Sequence, residues 1–207
     1  MNKQVIVKGL FGSYDRWADP RIVEPNTDYI LFTDQDITSK VFEVRKMKRE
    51  PKLERMVKIQ PWEYIGFNYE RYIWMDANIH PRRSIIYPSG FDIVCLEHPY
   101  RDCVYQEYQA CLKLGKDDPA TMWEQVKGYR DEGYPEHNGM VQTGLLIRPM
   151  NESVVEHAEL WATEVMKKSR RDQLSFNYAL WQMQAPPTVK TMLWEKFTGG
   201  FKLIPHK

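Results

Sequence analysis

The chain is short of cysteine and of net charge, and both shortages exclude whole classes of protein. Only Cys95, Cys103 and Cys111 occur, an odd number with no Cys-x-x-Cys pair, so neither a disulfide framework nor a zinc-ribbon spacing is present. Free thiols in a reducing, cytoplasmic setting are expected, with Cys103 and Cys111 sharing a helix face for packing. Acidic and basic residues nearly cancel, to a formal charge of +1, which gives no global pull toward nucleic acid or a membrane surface. No stretch approaches the ~18 consecutive apolar residues of a membrane span. The opening Met1-Asn2-Lys3-Gln4-Val5-Ile6-Val7 has no long apolar run behind a basic end, so neither signal peptide nor membrane anchor is expected. Repeats, low-complexity tracts and long linkers are missing too. At 207 residues the expectation is a single domain over 1–207, large enough to bury a core without staples.

What the chain has instead is aromatic surface and alternating elements. Seven Trp and twelve Tyr exceed what a core of this size usually needs, and either a large aromatic core or a sugar- or base-binding cleft accounts for them. Strands are predicted at Gln4–Lys8, Tyr29–Phe32, Val41–Val44, the run ending at Met75, Phe91–Leu96 and Gln142–Arg148. Helices are predicted at Leu53–Ile59 (stopped by Pro61), Val104–Leu114, Pro119–Glu132, Val154–Lys168 and Asp172–Gln184, with a short mixed tail from Val189. Strands and helices alternate early and helices gather late, which argues an α/β fold with a mostly parallel central sheet flanked by helices.

The most informative stretch is Arg71-Tyr72-Ile73-Trp74-Met75-Asp76-Ala77-Asn78. So short and apolar a run reads as a strand buried on both faces. Ligands of such sheets bind beyond the carboxyl ends of the strands, where Asp76 and Asn78 would arrive together. Two oxygen donors there can hold Mg²⁺ or Mn²⁺ against a diphosphate. The alternative is an Asp-Ala-Asn turn that merely ends a strand.

Other segments carry paired readings. Seven basic residues lie between Arg45 and Lys58 against Glu50 and Glu54; they are a solvated face, or else Arg55 and Lys58, three apart, meet the phosphates of a nucleotide. The same patch could hold a polyanionic acceptor such as DNA. His98 follows a buried strand at the carboxyl rim, as a structural residue or a ligand contact. Glu107 sits in a first helical turn, where the dipole favours a carboxylate. In His137-Asn138-Gly139-Met140-Val141-Gln142-Thr143-Gly144, Gln142 and Thr143 could bond sugar hydroxyls and Gly144 could admit a close approach, although Asn-Gly is also a plain turn signal. Asp172 is an N-cap or, with Gln173, a contact to a transferred sugar. His206 is a late nitrogen ligand or a terminal residue without a role.

In order, Phe32-Thr33-Asp34, Arg55 with Lys58 and Pro61, Ile73-Trp74-Met75-Asp76-Ala77-Asn78-Ile79, His98-Pro99 with Arg101 to Glu107, Gln125 with Tyr129, Gly133-Tyr134-Pro135, Gly144 with Arg148, and Arg171-Asp172-Gln173-Leu174-Ser175-Phe176 resemble a family of small glycosyltransferase-like proteins. The family was formerly catalogued as a domain of unknown function. It includes plant turgor-regulation and seed-mucilage proteins with bacterial and viral members. The resemblance implies a single GT-A-like nucleotide-binding domain using a nucleotide-sugar, UDP-linked by expectation, with Mn²⁺ or Mg²⁺. It implies Asp76, Asn78 and His206 at the metal, and Thr33, Asp34, Arg55 and Lys58 near the donor. His98, Gln142, Thr143, Gly144 and the Arg171-Asp172-Gln173 block would surround the sugar. Asn78 departs from the usual Asp-x-Asp pattern, and an amide oxygen binds a cation less strongly than a carboxylate. Plant relatives carry a membrane anchor, for which this chain shows no segment.

The expected activity is metal-dependent transfer of a sugar to the hydroxyl of a glycan or other acceptor. Asp172 is the first candidate for the base of an inverting reaction and Glu107 the second, while Gln173 would support the donor face of a retaining one. The rival readings are a glycosyltransferase acting on a modified DNA base, a metal-assisted hydrolase, and a non-catalytic carbohydrate-binding module. The hydrolase lacks a His-rich ligand set, and the module has no use for Asp76 beside Asn78.

Overall fold

The computed structural model describes residues 4–85, 87–193 and 200–205. Seven strands form one sheet: β1 (Gln4–Leu10), β2 (Thr27–Thr33), β3 (Glu43–Lys46), β4 (Arg71–Met75), β6 (Ile93–Glu97), β7 (Val141–Pro149) and β8 (Val189–Met192). Their spatial order is β3-β2-β1-β4-β7-β6-β8. Neighbours pair in parallel except β7, which runs against both β4 and β6. The sheet is therefore mostly parallel, as the alternation of elements predicts. A separate two-stranded ribbon joins β5 (Ile79–Pro81) to β9 (Phe201–Leu203).

The pleat explains why β4 reads as continuously apolar. Tyr72 and Trp74 enter one core cluster, with Val5, Val7, Ile30, Leu146 and Trp161. Ile73 and Met75 enter the other, with Ile6, Leu31, Leu145 and Ile147. Successive side chains point to opposite faces, so both sets are buried, each large side chain contributing about 1.5–3 kcal/mol. The first cluster is covered by α1 (Pro51–Ile59), the short α2 (Trp62–Ile65), α5 (Glu152–Lys167) and α6 (Phe176–Trp181). The second lies under loops carrying Trp17, Ile37 and Val41 and under the ribbon. Helices α3 (Val104–Lys113) and α4 (Pro119–Asp131) close a third cluster with Tyr178, where Tyr129 stacks on Tyr178 at 3.6 Å.

Two departures from the sequence reading bear on the site. The helix predicted from Asp172 is a 3₁₀ turn over Asp172–Leu174 followed by α6. The Asp172 carboxylate, which a cap would have needed, is drawn to cations, and its carbonyl accepts from the Trp161 indole at 2.8 Å. The third strand begins at Glu43, two residues later than predicted, since Val41 and Phe42 are held by the Ser39 hydroxyl through their N–H groups. The aromatic surplus lies mainly in the core, with Trp62, Trp161, Tyr72, Tyr129 and Tyr178 fully buried. All three cysteines are free and buried. No helix among the described residues is long and apolar enough to cross a membrane.

Candidate active site

A cavity of about 270 Å³ opens at the carboxyl end of β4, lined by polar side chains from four separate segments: Arg55 and Lys58 of α1, Asp76 and Asn78 after β4, Gln142 to Gly144 of β7, and Arg171 to Gln173. Each segment has a physical reason to be there. Strand β7 runs antiparallel to β4 with Leu145 opposite Met75, so its first residues pass beyond the end of β4 and meet Asp76. Its register against β6 jumps between Cys95 and Leu96, from Leu146 to Gln142. The resulting bulge turns Thr143 and Gly144 out of the ladder, the usual way a bulge re-aims side chains beside a site.

Gly144 is needed there for closeness. A Cβ at this position would stand 3.0 Å from Asp76 Oδ2, and the Asp76 N–H donates to the Gly144 carbonyl at 2.8 Å. The other carboxylate oxygen, Oδ1, accepts from the Trp74 indole at 2.8 Å and lies 3.9 Å from Lys58 Nζ. With 43% of its side chain exposed, Asp76 faces the opening.

Lys58 and Asp172 form the electrostatic centre. Lys58 Nζ is 2.6 Å from Asp172 Oδ2 and donates to the Thr143 hydroxyl at 2.7 Å; that hydroxyl donates to Asp172 at 2.7 Å. Arg55 Nε stands 3.7 Å from the other carboxylate oxygen. Burial alone would raise the Asp172 pKa, but Lys58, Arg55 and Arg171 outweigh it and hold the carboxyl well below the ordinary range. Such a carboxylate is a weak proton acceptor, which weighs against Asp172 as the base. Its environment suits a fixed anion that holds cations in place.

The last turn of α1 is fixed by a residue to which the sequence reading gave no role. Arg148, buried in β7, donates to the carbonyls of Lys58 at 2.6 Å and Ile59 at 2.7 Å and lies over the Trp62 ring. A second such residue is Lys8. It is buried at the end of β1, and its ammonium donates to the carbonyls of Asp76, Ala77 and Ile79, beneath the loop that presents Asp76 and Asn78. Burial, opposed by Asp76, lowers its pKa to about 7. The available signal was a cation closing an apolar strand run, since Lys and Arg are almost never fully buried unless paired.

Several predicted residues lie elsewhere. Glu107 is buried behind the cavity, 2.6 Å from Arg101 Nε, 3.5 Å from His98 Nε2 and 3.9 Å from Arg171. It is not among the described residues that line the cavity. His98 accepts the N–H groups of Tyr100 and Arg101 on Nδ1 and so folds the turn after β6. Burial, with Glu107 opposing and Arg101 assisting, lowers its pKa. Thr33 and Asp34 line a neighbouring open cavity with Lys46, Met47, Lys48 and Arg49, where Asp34 accepts the Gly12 N–H at 2.9 Å. His206 lies outside the described residues. The basic run does not form one patch: Arg45 pairs with Glu43, Lys46 with Asp36 and Arg49 with Glu54, while Arg55 and Lys58 turn to Asp172.

The donor set bears on what the cavity can hold. Arg55 and Arg171 bring two guanidinium groups to the cavity wall, and a guanidinium suits the oxygens of a phosphorylated ligand. Asp76 and the amide of Asn78 supply two oxygen donors for a hard cation that completes its shell with phosphate and water. No cluster of three or more His, Cys, Asp or Glu suited to a metal occurs among the described residues. Among the described residues that line the cavity none is aromatic.

A mostly parallel α/β sheet with a polar cavity at its carboxyl edge is consistent with a glycosyltransferase-like fold. The family model described as TOD1/MUCI70, glycosyltransferase-like domain, matches residues 67–199, and the chain belongs to that family. The match takes in Asp76, Asn78, Gln142 to Gly144 and Arg171 to Gln173, while Arg55 and Lys58 precede it. No curated protein matches the chain.

Proposed function

We propose that the protein transfers a sugar from a nucleotide-sugar, UDP-linked by expectation, to an acceptor hydroxyl with the help of Mn²⁺ or Mg²⁺. The observation that carries this reading is the meeting of Asp76 and Asn78 with Arg55, Lys58 and Arg171 around one cavity beyond the strand ends. In this reading Asp76 and Asn78 are the protein's oxygen ligands to the cation, which when bound supplies Lewis-acid and template chemistry to the departing diphosphate.

Arg55 and Arg171 offer guanidinium groups to phosphate oxygens, and Lys58 adds a point charge. These donors are oriented before the ligand arrives, so charge developing on the leaving group meets dipoles that need no reorganisation. Asp172 and Thr143 keep Lys58 in position. The amide of Gln173 is held between Arg171 at 2.9 Å and the Val141 carbonyl at 3.3 Å, and with Gln142 it offers hydrogen bonds to sugar hydroxyls. Thr33 and Asp34, in a separate open cavity, are left to the nucleoside end of the donor.

The test is incubation with a panel of nucleotide-sugars and Mn²⁺, with released nucleoside diphosphate as the readout. Hydrolysis or transfer with one donor, lost on chelation, is the expected outcome. Release that is the same for every donor and unaffected by chelation would reject the reading.

A further inference from the structure

The wall of the first cavity has a second side. In the ribbon, Ile79 pairs with Leu203 and His80 with Lys202. Because neighbouring side chains along a strand face opposite ways, the ribbon separates two spaces. Ile79 and Leu203 line the cavity of Asp76. His80 and Lys202 line a second cavity of about 500 Å³, completed by Arg21, Arg82, Ile22 and Ile204 among others.

This second space carries a cationic surplus. Arg21, Arg82 and Lys202 have no ion-pair partner among the described residues. The acid on its wall, Asp19, already accepts the Ser39 hydroxyl and the Lys40 N–H. His80 is buried, and its ring donates to the Ala77 carbonyl while Nε2 is without a hydrogen-bond partner among the described residues. With the other ring nitrogen donating to that carbonyl, Nε2 is the ring atom left to accept a hydrogen bond. Ile22, Pro81 and Ile204 supply apolar wall. The volume falls in the roughly 300–1,000 Å³ range of small-molecule sites.

We propose that this second cavity binds an anionic sugar, whose carboxylate or phosphate oxygens are held by Arg21, Arg82 and Lys202 while one of its hydroxyls donates to His80 Nε2. Inorganic phosphate can meet the cations and donate to Nε2 through a P–OH but leaves the apolar wall of Ile22, Pro81 and Ile204 uncovered, whereas a neutral sugar would leave the cations unmet. The site faces away from Asp76, and its occupancy does not depend on sugar transfer in the first cavity.

Calorimetry on the full chain tests it, with D-glucuronate, glucose 6-phosphate, inorganic phosphate and D-glucose as probes and neither donor nor turnover involved. Glucuronate or glucose 6-phosphate should bind at least about tenfold more tightly than D-glucose. The Arg82→Ala/Lys202→Ala double variant, altered at two exposed positions, should lose at least about tenfold in that affinity. Arg55→Ala, on the first cavity, should leave it unchanged. Preference for glucuronate assigns a sugar acid, and preference for glucose 6-phosphate a sugar phosphate. The proposal is overturned if neither probe binds better than D-glucose. It is also overturned if inorganic phosphate binds as well as either sugar, or if Arg55→Ala abolishes binding that the double variant retains.

Discussion

Replacing Lys58 by Met keeps the length and bulk of the side chain and removes only the cation, so it isolates what the charge does in the centre of the site. Asp172 would then remain 3% exposed with Arg55 at 3.7 Å as its nearest remaining cation, and the Thr143 hydroxyl would lose a donor. Removing one partner of a buried, hydrogen-bonded pair costs about 3–5 kcal/mol. The direct 2.6 Å contact argues for the upper part of that range, and the partly solvated Arg55 for the lower. For a chain of this size that is a fall in melting temperature of roughly 6–20 °C. Asp172→Asn should cost a comparable amount, and the double variant clearly less than the sum, because it leaves neither charge buried alone.

The pH dependence has a definite sign. The folded-state pKa of Asp172 lies below its ordinary value of 3.8, so the pair contributes fully above that value and is lost as pH falls through the depressed one. The gap between wild type and Lys58→Met in urea unfolding should be flat from about pH 5 to 8 and close below about pH 4. A Lys58→Met protein within about 1 kcal/mol of wild type at pH 7, or a double variant as unstable as the sum of the singles, would refute the argument.

Three further outcomes are expected. Asp76→Ala should abolish metal-stimulated nucleotide release while leaving far-UV circular dichroism unchanged, because the side chain is substantially exposed; full turnover would remove Asp76 from the site. Gly144→Ala should lower that release by up to about 100-fold, the scale of an ångström-sized misplacement, with little loss of stability, because its Cβ meets the Asp76 carboxylate; unaltered kinetics would show that the carboxylate yields freely. Lys8 is held at a pKa near 7, below its ordinary 10.5, so the unfolded chain binds the extra proton and wild-type stability should rise as pH climbs from about 7 toward 10. Urea midpoints for Lys8→Met should lack that slope, and parallel curves for the two proteins would contradict the burial argument.

How much could be read in advance depended on how local each feature was. The strand before Asp76 was legible because burial on both faces writes a continuous apolar run, and Arg55 with Lys58 because helical spacing alone puts them on one side. The gathering of Gln142, Thr143 and Arg171 with Asp76 followed from ordered blocks recognised together. Lys8 escaped notice because its carbonyl partners lie about 70 positions downstream. Arg148 was noted without a role because the helix end it clasps lies about 90 positions upstream. The three-residue strands of the ribbon are too short to show a period, and their pairing spans more than a hundred residues. Asp172 looked like a helix cap because the sequence does not show that Lys58 and Thr143 compete for its carboxylate.

The ribbon also sets an order of events during synthesis. One wall of the cavity comes from Leu203, and ribosomes release the amino-terminal part of a chain first. Asp76 and its neighbours therefore leave the ribosome well before the strand that encloses them, and the pocket gains that wall only once the chain has been made through Leu203.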